Sequence, residues 1–134
     1  MSFLANSIIY LLLLSLPSPG EAPKYSVKGD VKNADEMISY IYNVPEKVIK
    51  KVNDFGAEVV FLDKAYDPRV PEKDKKLLEA ARAIYVFEQR MAFIVKNNKS
   101  CDAIKGMPVP QLHEYGHIVD HAFGYLSKKV RSLL

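Results

Sequence analysis

The chain has 134 residues and a mass of 15.2 kDa, enough for one domain whose core needs no disulfides to hold it. Hydrophobic residues make up 49% and charged ones 26%, which excludes coiled coil, collagen and wholesale disorder. A net charge of +3, with no long Lys/Arg cluster interleaved with aromatics, argues against nucleic acid as a partner, and the single cysteine, Cys101, excludes a disulfide scaffold.

In chain order, Phe3 to Leu16 are almost wholly apolar, with IIYLLLLSL the densest run, and the first charge is Glu21. A helix needs about 20 apolar residues to span a bilayer comfortably, so this run is short for a membrane span. It matches the hydrophobic region of a secretory signal peptide, with Ser18 and Gly20 as the small residues before a cut after Gly20. Residues 1–20 are therefore expected to be a signal peptide. The mature protein is expected to be secreted and extracellular, without stable membrane insertion once the signal is removed. The alternatives are retention of the segment as a membrane anchor or as a buried first helix.

Residues 21–43 read as a linker and a short helix: EAPKYSVKGDVKN is polar and irregular, and Asp35 to Tyr42 place Met37, Ile38 and Ile41 at helical spacing. Residues 44–134 read as one domain. Pro45 opens a helix in which Val48, Ile49 and Val52 form the apolar stripe, and Gly56 stops it. Glu58 to Leu62 (EVVFL) is the clearest strand, followed by a DKAYDPRVP loop. From Glu72, EKDKKLLEAARA predicts a helix, and IYVF and MAFIV flanking EQR predict a hairpin rather than one long helix. Residues 97–110 are rich in turn formers, and a last helix runs from about Gln111 to Leu126. The order α, β, α, β, β, α defines an α+β domain.

All three histidines lie in QLHEYGHIVDHAFG, and His113, Glu114 and His117 form an H-E-x-x-H motif. On a helix, positions i and i+4 stand one above the other, so the two imidazoles can converge on one zinc ion (Zn2+). Glu114 is offset by one residue and is expected to act as general base on the zinc-bound water, whose hydroxide would attack a peptide carbonyl. Apolar Ile118, Val119, Ala122 and Phe123 continue the helical periodicity and bury its back. Asp120, three residues after His117, can orient a ligating imidazole as a second-layer carboxylate. His121 is excluded as a third ligand, because a straight helix sets it about 12 Å along the axis from His113. Gly116, inside the motif, lowers helix propensity and can mark close approach of another backbone segment.

HEYGHIVDHAFG resembles the zinc-binding helix of the anthrax lethal factor-like metallopeptidases, a family that includes the secreted Pro-Pro endopeptidases of Gram-positive bacteria. His113, Glu114, Gly116, His117 and Asp120 match its motif, and Tyr115 fills the aromatic slot. VPEKVIKKVNDFGAEVVFLD and AIYVFEQRMAFIV are similar to its opening helix, first strand and later sheet segment. The resemblance implies a zincin-like domain with a small mixed sheet, Zn2+ as cofactor, a protein or peptide as substrate, and a secreted, toxin-like zinc metalloendopeptidase. The family takes its third ligand from a Glu on a later helix. No Glu follows Glu114 here, so residues 44–134 are expected to form a C-terminally incomplete version. The alternative expectation is an inactive zincin-like chain serving as a binding or regulatory module.

Overall fold

A computed structural model of the chain describes residues 21–96, 110–125 and Lys128. The predicted signal peptide, all but the last residue of the predicted loop at 97–110, and Leu126, the predicted end of the last helix, lie outside the described residues; the helix itself ends at Ala122.

The first element was not expected. Residues Tyr25–Lys28, inside the stretch read as irregular, form strand β1, pairing in parallel with β2 (Glu58–Leu62) from Tyr25↔Val59 to Lys28↔Leu62. Its weakly apolar sequence is recruited by neighbours. The Asn53 side chain accepts from the Lys24 amide at 3.2 Å and donates to the Ala22 carbonyl at 2.8 Å, tethering the strand's start. Helix α1 (Ala34–Ser39) is shorter than predicted, and α2 (Glu46–Asp54) follows Pro45 as expected, ending before Gly56 at φ 83°. A left-handed φ costs glycine little, so the chain turns there into β2.

Helix α3 (Glu72–Ala81) stops at Arg82, whose φ of 59° is left-handed. The hairpin reading holds: β3 (Ala83–Val86) pairs antiparallel with β4 (Met91–Val95). β-Branched and aromatic residues on both sides of the turn favour strands over a helix that would be apolar nearly all round. β4 also pairs in parallel with β2, so the sheet order is β1-β2-β4-β3, a small mixed sheet with β3 on one edge. Helix α4 (Pro110–Ala122) is the predicted motif helix.

Both faces of the sheet are covered. Val59, Phe61, Ala92 and Ile94 point toward α1, α2 and α4, where they meet Ile38, Val52, Tyr115 and Ile118. Val60, Leu62, Phe93 and Val95 point the other way, toward Leu78 of α3 and the loop residue Val70. Burial on both faces explains why EVVFL and MAFIV are continuous apolar runs instead of alternating ones. Among the described residues no helix is long and apolar enough to cross a membrane. The α+β class with a small mixed sheet stands; the zincin-like part of the expectation does not, because the described residues lack the metal-binding cluster that defines such a domain.

Candidate functional site

Helix α4 buries Gln111, Glu114, Tyr115 and Ile118, a spacing of three, one and three that places them on the side facing the sheet. His113 and His117 lie on a more exposed part of the helix surface, with His117 beside Glu114. Their Nε2 atoms approach to 3.2 Å and their rings stand nearly perpendicular with centroids 4.8 Å apart, so the i, i+4 spacing does bring the imidazoles together. His117 is held below its ordinary pKa by burial first and by His113 next, with Asp120 acting weakly in the opposite sense.

Among the described residues nothing completes a zinc centre around that pair. Among the described residues no group of three or more His, Cys, Asp or Glu side chains gathers where a metal could be held. Catalytic zinc takes about three protein ligands, and Asp120 does not join the two imidazoles to make a third. The expected Zn2+ cofactor, the metalloendopeptidase activity with Glu114 as general base, and the toxin-like role therefore fall together. Comparison with protein-family models, with curated proteins and with solved structures gives no match, which overturns the lethal factor-like identification too. HEYGH is a short local pattern that a helix can carry without metal chemistry.

Glu114 is only 8% exposed, and burial pushes its carboxyl from an ordinary 4.5 up to about 7. It lines a cavity of about 240 Å³ together with His117, Leu77, Ala81, Ala83, Ile84, Tyr85 and Phe87. The cavity sits at the β3 edge of the sheet, between the end of α3 and the middle of α4. Leu77 and Phe87 are large apolar residues left about half exposed, at 55% and 51%. These wall residues carry no motif, so the sequence reading passed over them.

The edge itself has a defined polarity. The Val95 amide donates to the Arg82 carbonyl at 2.9 Å, and antiparallel residues alternate between bonding inward and outward. With the register Ala83↔Ile94 through Val86↔Met91, the N–H and C=O groups of Ala83 and Tyr85 point away from β4, toward the edge that no other described strand covers. Beside them, His121 leaves the imidazole pair and turns toward the hairpin. The Tyr85 hydroxyl lies 2.7 Å from His121 Nδ1, and the His121 ring meets Phe55, Phe87 and Tyr125 at centroid distances of 4.9, 5.4 and 5.2 Å. Burial, then the nearby Tyr125, pushes the Tyr85 phenol up to about 12, so it stays neutral and able to donate. This aromatic packing ties the β3 hairpin to α4.

Proposed function

We propose that the chain is a polypeptide-binding module that takes an extended segment of another protein along the free edge of β3. One observation carries the reading: an edge strand with outward N–H and C=O groups at Ala83 and Tyr85 runs directly beside a cavity lined by half-exposed apolar side chains. Edge strands invite pairing, and proteins usually blunt them with lysines, prolines or a cover. The opposite edge, β1, follows Lys24 and ends on Lys28, whereas the nearest basic residue to β3 is Arg82, just before it. β3, with the sequence AIYV, has no charged or proline residue. Main-chain bonds to such an edge supply affinity and the adjoining pockets supply selectivity. The cavity, at about 240 Å³, is smaller than the roughly 300–1,000 Å³ that drug-sized ligands occupy, and suits one or two side chains of a strand. The apolar residues 3–16 followed by small residues support export of the module from the cell.

The test is selection of random peptides displayed on phage against the purified protein, followed by amide mapping of the selected peptides by NMR. The reading expects shifts at Ala83 and Tyr85, and loss of binding when alternate backbone nitrogens of the peptide are methylated. Selected peptides that leave those amides unmoved, or that tolerate methylation at every position, would overturn it.

A further inference from the structure

We infer that the segment taken up by β3 alternates a long basic side chain with an aliphatic one, the basic residue lying against Glu114 on the α4 side and the aliphatic residue against Leu77 on the α3 side. The inference deepens the edge-strand reading and rests on it. Side chains of an added strand go alternately to the two faces of the sheet, and at this edge the two faces differ in chemistry. Ala83 and Tyr85 belong to the α4 side, Ile84 and Val86 to the α3 side, and the cavity straddles the strand between them.

On the α3 side the wall is Leu77, Ala81 and Ile84, with Leu77 projecting half exposed. An aliphatic side chain there removes apolar surface from water on both partners. On the α4 side the small Ala83 leaves room beneath the strand, and the polar groups are Glu114 and His117. Among the described residues no Lys or Arg lines the cavity. A partner carboxylate would meet Glu114 in a poorly hydrated site, and an aliphatic tip would strip its remaining water without replacing it. A lysine or arginine does neither: its stem lies along apolar wall and its charged head reaches the carboxylate. His117, kept below its ordinary pKa by burial, is neutral in mildly alkaline solution and does not compete for Glu114. The Tyr85 and Phe87 rings, packed edge to face with centroids 5.2 Å apart, offer further aromatic surface to a cation at the cavity's end.

The experiment uses three acetylated and amidated peptides, Thr-Leu-Lys-Leu-Thr and its counterparts with norleucine or glutamate in place of lysine, titrated into the full chain at about pH 8 with NMR detection. The lysine peptide is expected to bind about tenfold more tightly than the norleucine peptide, a free-energy difference of about 1.4 kcal/mol, and the glutamate peptide more weakly than both. In Glu114→Gln the preference for lysine over norleucine is expected to fall to within about twofold. Equal affinity of the lysine and norleucine peptides for the unmodified protein, with the Ala83 and Tyr85 amides shifting, would overturn this inference and leave the edge-strand reading standing. Failure of every peptide to move those amides would overturn both.

Discussion

Replacing Glu114 by Gln should make the protein more stable, and increasingly so as pH rises. The Glu114 carboxyl is 8% exposed, and burial raises it from an ordinary 4.5 to about 7 in the folded chain. Between those two values the folded protein keeps a proton that the unfolded chain has released. Unfolding therefore gives up a proton, and stability falls as pH rises through this window. Below pH 4.5 the penalty is absent, and above about 7 it is complete. At about 1.4 kcal/mol for each pH unit, the window amounts to about 3 kcal/mol. Glutamine has nearly the same shape and no charge to desolvate, so Glu114→Gln should match the wild type near pH 4 and exceed it by about 2–3 kcal/mol near pH 8. His117 acts in the opposite direction, since its folded pKa is lowered and stability rises with pH as the unfolded imidazole loses its proton. That contribution is common to both proteins and largely drops out of the difference. Urea denaturation of the pair, followed by circular dichroism from about pH 4 to about pH 8, measures it directly. A stability difference that stays flat across that range would refute the burial argument, as would a variant less stable than wild type at the alkaline end.

Three further outcomes follow from the same packing, and a fourth from the apolar amino terminus. The Tyr115 hydroxyl is buried without a hydrogen-bond partner among the described residues, so Tyr115→Phe should raise stability by about 1 kcal/mol in thermal or urea melts. The Asp67 side chain is fully buried; Arg69 grips it through Nε at 2.9 Å and Nη2 at 3.0 Å, and Lys28 reaches it at 3.3 Å. Asp67→Asn should therefore cost about 1–3 kcal/mol. Burial pushes the Asp67 carboxyl up, but the Arg69 bonds and charge, with Lys28, outweigh it and hold it below its ordinary 3.8; this part of the stability is present above that value and lost as acid protonates the carboxylate, which an acid titration of wild type against Asp67→Asn would reveal. Gly29 has a φ of 84°, and an added Cβ would collide with the Asp63 carboxyl group; Gly29→Ala should lower stability by about 1–3 kcal/mol and shift the Asp30 amide, which donates to Asp63. Expression in a secreting host should yield a mature chain beginning at Glu21, read by amino-terminal sequencing; retention of residues 1–20 would count against export.

How much could be read without coordinates varies with how local the physics is. The convergence of His113 and His117, now seen as a 3.2 Å approach, was legible because helical spacing alone produces it. EVVFL and the hairpin pair were legible because side chains buried on both faces leave a continuous apolar run. β1 was not, because YSVK carries little strand signal of its own and exists through its partner, Tyr25↔Val59 onward, and through the Asn53 clamp. The error about chemistry has the same origin. A catalytic metal needs ligands from several segments, and a motif within one helical turn says nothing of whether others arrive; among the described residues none completes the set. Glu114 was read as facing a metal-bound water, whereas the packing of α4 on β3 turns it inward, to a cavity wall built by Leu77 and Ala81 from α3. Spacing along one helix decides which of its residues share a side. Only the assembled sheet decides what that side meets, because the exposed edge of β3 and the desolvation of Glu114 depend on contacts between residues distant in the chain.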